Sequence, residues 1–170
     1  MIVEVDRNYL EINSIKNLNS SNRPNKDCSL ILVDPPDFQL NKFFYKQIGK
    51  SHRWIDRLVW NDNSWINYLE NQNIKTFILK DKENLVGYFE IIYNFKEKNA
   101  EIAYFGILSE YYGKKYGGYL LSKAIMKSFE KGIKRVWVHT CSLDHKNAIL
   151  NYQARGMNIF KTEILNRKVI

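Results

Sequence analysis

Apolar positions in this chain follow two rhythms. Runs with a two-residue period predict strands, and stripes with helical spacing predict helices. Val3–Ile12 predicts a first strand, followed by the polar loop Asn13–Asp27. SLILVD (Ser29–Asp34) predicts a second strand, stopped by Pro35 and Pro36. FFYKQI predicts a short helix from Asn41 to about Gly49, and Asn63 or Ser64 is the expected cap of a helix through WINYLEN. Three strands with short polar turns follow: Thr76–Asp81, Leu85–Phe95 and Ala100–Leu108. The breaks DKEN and FKEKN suit hairpins, so this part is expected to be antiparallel. Leu120, Leu121, Ala124, Ile125 and Phe129 share a stripe, which predicts a helix over Gly118–Lys131 capped by Gly132. RVWVHTC (Arg135–Cys141) predicts a strand. Asp144 or His145 starts a helix through Arg155 that Gly156 stops, and Asn158–Leu165 is the last strand. A meander followed by β-α-β-α-β implies an α/β (α+β) fold, with a mixed, mostly antiparallel central sheet and flanking helices.

A length of 170 residues favours one domain over 1–170. No apolar run approaches the ~20 residues needed to span a bilayer. The start, MIVEVDRNYLEI, has no signal-peptide core, so a cytoplasmic protein with no membrane association is expected. Cys28 and Cys141 are too few for a disulfide scaffold; both are expected to be reduced and buried. Charge changes the picture more. The net charge is +8; residues 1–85 carry 12 Lys and Arg against 11 Asp and Glu, and residues 86–170 carry 14 against 7. The basic half suits a polyanionic partner, either a nucleotide cofactor or a nucleic acid, although a solvated surface explains it equally well.

The stretch EYYGKKYGGYLL (Glu110–Leu121) sits where a strand hands over to a helix. The first amides of a helix lack internal partners, and its dipole adds positive character, so a pyrophosphate is stabilised there. Lys114 and Lys115 add charge. Neither GxxxxGK[ST] nor GxGxxG is present, and on spacing alone a flexible turn is an equal alternative.

Longer matches point further. Residues 85–165 resemble the GNAT superfamily of acetyl-CoA-dependent N-acyltransferases. Its Q/R-x-x-G-x-G/A signature and following Leu-Leu pair fall on Tyr112-Gly113-Lys114-Lys115-Tyr116-Gly117 and Leu120–Leu121. Tyr112 stands in place of Gln or Arg, and Lys115 in place of the first signature glycine. NAILNYQARGM (Asn147–Met157) is similar to the family pattern N-x-x-x-x-Y-x-x-x-G-F, and EIAYFGI (Glu101–Ile107) to a strand of the histone-acetylating branch. W-x-x-DRL-x-W (Trp54–Trp60) and VWVHTCSLDH (Val136–His145) resemble a little-described bacterial branch of the same family.

The resemblance implies acetyl-CoA as co-substrate, held by Tyr112, Gly113, Lys114, Lys115, Tyr116, Gly117 and Gly118. It also implies that the family's fourth and fifth strands splay, so that backbone groups of Phe105, Ile107 and Ser109 pair with the cofactor arm and Asn147 contacts it. An irregularity is expected at the strand glycine Gly106. Acyl transfer to an amine needs a base, because a lysine-like ammonium with a pKa of ~10.4 does not attack. It also needs donors for a developing oxyanion and an acid for the departing thiolate. The matched positions imply Glu101 as base and Tyr152 as acid; Glu90 and His139 remain alternative bases. Trp54, Arg57 and Trp60 fall in the region that shapes the acceptor pocket, with a satellite aromatic core as the other reading. His139, Cys141, Asp144 and His145 lack paired zinc-ligand spacing, so no metal is expected. The expected partner is a small-molecule or peptide amine, and homodimerisation stays open. The rival readings are a basic nucleic-acid-binding module, in which Tyr111, Tyr112, Tyr116 and Tyr119 stack bases, and a GNAT fold that binds CoA without catalysis. No RRM, KH or helix-turn-helix signature supports nucleic acid.

Overall fold

The computed structural model describes residues 1–168. Eleven principal elements follow one another: β1 (Ile2–Ile12), β2 (Cys28–Leu32), α1 (Phe38–Gly49), α2 (Asp62–Glu70), β3 (Ile74–Asp81), β4 (Asn84–Asn94), β5 (Asn99–Ile107), α3 (Tyr116–Phe129), β6 (Arg135–Cys141), α4 (Ala148–Ala154) and β7 (Asn158–Lys168). The seven strands form one sheet in the order β2-β3-β4-β5-β6-β1-β7. Every neighbouring pair is antiparallel except β5 and β6. The mixed, mostly antiparallel sheet with flanking helices is the architecture expected from the pattern. The insertion of β1 between β6 and β7 is not, because long-range pairing leaves no local signal.

Helix starts differ from expectation where side-chain caps decide them. Asp37 accepts from the Gln39 amide at 3.0 Å, so α1 begins three residues before Asn41. Asn61, rather than Asn63 or Ser64, caps α2 by accepting from the Ser64 amide at 2.9 Å. α3 begins at Tyr116 and ends at Phe129; Lys131 and Gly132 then turn the chain at positive φ (63° and 80°). α4 starts only at Ala148, because Asp144 is used in a turn.

The main core lies between the sheet and α3, around Leu120, Leu121, Ala124 and Ile125 with Phe89, Ile91, Val136 and Val138. A second cluster on the other face joins α1 (Phe44, Ile48) to Ile78 and Tyr88. β6 shows why the faces differ. Val136, Val138 and Thr140 are buried, while Arg135, Trp137, His139 and Cys141 alternate with them at intermediate exposure. Among the described residues no helix is long and apolar enough to cross a membrane.

Candidate active site

β5 and β6 pair over only three positions: Asn99 with Arg135, Ala100 with Val136 and Glu101 with Trp137. Both strands continue, to Ile107 and Cys141, without pairing to each other. Beyond Glu101, one edge of β5 therefore has backbone groups with no strand partner, and such groups demand hydrogen bonds. The gap opens into a cavity of about 610 Å³ lined by Phe105 and Ile107 on one side and Val138 and His139 on the other. A bulge on β5 falls at Ala103, which has no partner between Ile91 and Glu90 on β4. The irregularity is thus three residues from the expected Gly106, whose lack of a side chain serves packing. A Cβ on Gly106 would lie 2.6 Å from Ile48 Cγ2 on α1.

The turn from β5 to α3 contains two left-handed residues, Gly113 (φ 73°) and Lys115 (φ 68°, ψ 14°). Lys115 thus adopts the angles a glycine would take there. It is the N-cap of α3 and offers no side-chain acceptor to the first amides of the helix. Those amides and the positive end of the helix dipole remain for an anion. Tyr112, Gly113, Lys115, Tyr116, Gly117 and Gly118 all line the cavity. Lys114 and Ser109 do not, and the Tyr116 hydroxyl turns away to donate to Asp81.

On the β6 side, Asp144 Oδ2 accepts from the Thr140 hydroxyl at 2.6 Å and from the Cys141 amide at 3.0 Å. Its Oδ1 accepts from Trp54 Nε1 at 3.4 Å, which ties the segment after α1 to the mouth of the cavity. Asn147 precedes α4 without a side-chain capping bond, and Tyr152 on that helix is 6% exposed with its ring 6.3 Å from that of Phe105. Burial, and then Asp144, hold the Tyr152 phenol well above the usual tyrosine range, so it keeps its proton at neutral pH.

Glu101 stands at the last paired position of β5, with an Oε1 3.9 Å from His139 Nε2. Burial pushes its carboxyl up, against the opposing pull of Arg57. Burial, reinforced by Arg7, lowers the His139 pKa, so the imidazole is neutral near pH 7.

Besides Ser109 and Lys114, two more expected residues, Glu90 and Trp60, lie outside the cavity. Glu90 is wholly buried, where it accepts from Asn41 Nδ2 (3.0 Å), Tyr68 Oη (2.8 Å) and Arg57 Nη1 (3.1 and 3.2 Å). A carboxylate held by three partners and closed to the cavity is not placed to take a proton from an acceptor. Trp60 packs 4.7 Å from the Arg57 guanidinium and against Trp65 and Tyr68. Trp54 and Arg57 do line the cavity, Arg57 with its guanidinium 4.1 Å from the Tyr104 ring centroid. The aromatic cluster is therefore both a small core and one wall of the cavity.

The pattern along the chain did not single out Arg7, His52, Asp56, Tyr104 or Arg167, which also line the cavity. Arg7 and Arg167 arrive through the pairing of β1 with β6 and β7. Cys28 is buried as expected, but Cys141 is half-exposed and lines the cavity. Of the tyrosines considered as base-stacking groups, Tyr116 and Tyr119 are buried, and Tyr112 packs edge-on to His145 at 4.9 Å. No group of three or more His, Cys, Asp or Glu is placed to hold a metal among the described residues.

A family model described as the Acetyltransferase (GNAT) family matches residues 38–157, most of the chain. The chain belongs to the GNAT family. Solved structures agree on the fold. A GCN5-related N-acetyltransferase from Kribbella flavida is 14% identical with a TM-score of 0.67; the match covers 96% of this chain and 58% of that one. One from Sphaerobacter thermophilus is 14% identical with a TM-score of 0.72, covering 97% and 51%. An aminoglycoside acetyltransferase from an uncultured soil metagenomic sample, in complex with trehalose, is 14% identical with a TM-score of 0.65, covering 78% and 90%. At such identity the likeness speaks for the fold alone. This GNAT chain spans 51–63% of the length of the first three structures it matches. No curated protein matches it.

Proposed function

We propose that this GNAT protein is an N-acetyltransferase that moves an acetyl group from acetyl-CoA to a primary amine, by direct attack in a ternary complex. One observation carries the reading. A single cavity brings together a partly buried carboxylate (Glu101), a buried protonated phenol (Tyr152) and an uncapped helix start at Lys115. The residues present fit the co-substrate. The unpaired edge of β5 beyond Glu101 suits an extended amide-bearing arm, and the free amides of α3 suit a pyrophosphate. Phe105, Ile107 and Asn147 would hold the arm, and Gly113, Lys115 and Gly117 the phosphates. When bound, acetyl-CoA supplies an acetyl group activated as a thioester.

The chain's own groups then divide the work. Glu101 removes a proton from the acceptor ammonium, directly or through water, and its raised pKa brings it nearer the pH at which it must act. Neutral His139, 3.9 Å away, can receive or relay that proton. Tyr152 retains its phenolic proton and presents it as a donor on the far side of the cavity. Backbone amides of the β5 edge provide oxyanion donors. The reading extends to a cytoplasmic setting, in keeping with two cysteines that form no disulfide.

The test is a thermal-shift titration with acetyl-CoA, paired with an acceptor screen that follows thiol release. Saturating acetyl-CoA should raise Tm in a concentration-dependent way. Absence of stabilisation, together with salt-sensitive binding of RNA or DNA, would overturn the proposal. Full turnover by Tyr152→Phe would remove the acid role from Tyr152.

A further inference from the structure

The charges in the acceptor half of the cavity do not cancel. Four cations line the cavity: Arg7, Arg57, Lys115 and Arg167. Lys115 belongs to the helix start. Arg57 is paired with Glu90 at 3.1 Å, and Arg167 with Asp56 at 2.9 Å. Arg7 has no ion pair among the described residues, and its Nε is fully buried without a hydrogen-bond partner; Glu163, opposite it on β7, is held by Lys161 at 2.6 Å and the Tyr9 hydroxyl at 3.0 Å. The opposing acids are equally uneven. Asp56 is taken by Arg167, and Asp144 is satisfied by Thr140, Trp54 and a backbone amide. Glu101 has no lysine or arginine ion pair among the described residues: His139 lies 3.9 Å away, and Arg57, paired with Glu90, acts on it only from farther off.

Strand geometry puts the two unmatched charges on one face. Glu101 is level with Trp137 on β6, and Tyr9 on β1 is level with His139. The rings of Tyr9, Trp137 and His139 touch, so these positions share a side of the sheet. Arg7 is two residues from Tyr9 and opposite Cys141, hence on that side too. Only β6 separates β5 from β1. An unpaired buried guanidinium N–H is costly, and a cation held in a concave site recognises an anion.

We infer that the acceptor is an amine that also carries an anionic group, with its ammonium directed to Glu101 and its anion to Arg7. This rests on the acetyltransferase reading and narrows it to one substrate class, amino acids and amino phosphates rather than polyamines or aminoglycosides. Arg7 is then a specificity residue, its guanidinium pairing with the carboxylate or phosphate where it lines the cavity.

The experiment compares acceptors in pairs that differ only in the anion, with acetyl-CoA saturating. Tyrosine is set against tyramine, histidine against histamine, and phosphoethanolamine against ethanolamine, with thiol release as readout. Stabilisation of the CoA-bound protein by each compound is measured alongside. The anionic member of a pair should win on kcat/KM by roughly 10- to 100-fold, the span expected of one charge-assisted hydrogen-bonded pair. The amino acid and phosphate pairs show which anion is preferred. Arg7→Gln should collapse that ratio by raising KM for the anionic member, and Arg7→Lys should restore part of it; urea curves establish that both variants fold. The inference is overturned if acetyl-CoA binds yet no anionic member exceeds its partner in turnover or stabilisation, or if Arg7→Gln folds and leaves the ratio intact. If acetyl-CoA itself does not bind, the acetyltransferase reading fails instead.

Discussion

Removing Arg57 should destabilise this protein strongly, because its side chain is almost closed to solvent. Its guanidinium is 6% exposed and lies against Tyr104, Tyr68 and Trp60 at 4.1, 4.2 and 4.7 Å from the ring centroids. It supplies two of the four hydrogen bonds to Glu90, which is completely buried. Arg57→Met keeps the aliphatic stem and removes the charge. It leaves an ionised carboxylate in the core with two neutral donors, and breaking a buried pair in this way costs about 3–5 kcal/mol. For a domain of this size each kcal/mol moves Tm by about 2–4 °C, so a fall of about 6–20 °C is expected. Glu90→Gln removes the stranded charge while Asn41 can still donate to the amide oxygen and the Tyr68 hydroxyl can turn to accept from the amide NH2. The double variant Arg57→Met/Glu90→Gln should therefore be more stable than Arg57→Met alone, by about 1.5 kcal/mol or more. Urea denaturation followed by far-UV circular dichroism measures all three against the parent. A loss below about 1 kcal/mol for Arg57→Met would refute the reasoning, as would a double variant that is simply the sum of two losses.

Lys115→Gly should stabilise the fold by about 1 kcal/mol or slightly less, because a lysine held at φ 68° pays a left-handed penalty that glycine avoids; urea midpoints measure it. Gly106→Ala should destabilise by about 1–3 kcal/mol, since its Cβ would press on Ile48 Cγ2, and combining it with Ile48→Ala, which removes Cγ2, should cost less than the sum of the two single losses in the same assay. Glu101→Gln should lower kcat/KM by about 10²–10⁴-fold and remove the acid limb of its pH profile; that limb should lie above the usual carboxylate range, because burial raises this pKa. Burial also lowers the pKa of His52 and His139, so the unfolded chain binds more protons near pH 6. Stability should therefore fall as pH drops through about 6.5, the usual histidine value, and the slope should flatten in a His52→Gln/His139→Gln variant followed by urea midpoints at several pH values.

The sheet and most of its helices were legible because their signals are local. Alternation in RVWVHTC gave β6 its two faces, and the stripe from Leu120 to Ile125 gave α3 its buried side. Motif positions led to Glu101, Tyr152 and the α3 turn, all of which meet at one cavity. The errors share a physical cause. Glu90 reads as a strand carboxylate like Glu101, and only tertiary packing sets Asn41, Arg57 and Tyr68 around it. Gly106 reads as a bulge, yet the extra residue is Ala103, because Ile48 on α1 demands the missing side chain at 106. Lys115 reads as an obstacle at a glycine position, but the backbone accepts it in the left-handed region.

The site's charge logic was invisible for a further reason. β1 is the first strand in sequence, yet it lies between β6, whose paired positions are 124 residues or more away (Ile12 with Val136 is the shortest span), and β7, the last strand. No window along the sequence brings Arg7 within sight of Glu101 or His139. The same pairing delivers Arg167 from β7, where Asp56 from the segment between α1 and α2 meets it at 2.9 Å. One half of the cavity is thus built from motif-bearing elements, β5, α3, β6 and α4. The other is assembled from β1, β7 and the segment after α1, and of these only the last carries a motif, W-x-x-DRL-x-W. A fold that fixes the first half and draws the second from its edges can keep one chemistry while changing what it acts upon, so Arg7 is where a difference in acceptor should register first.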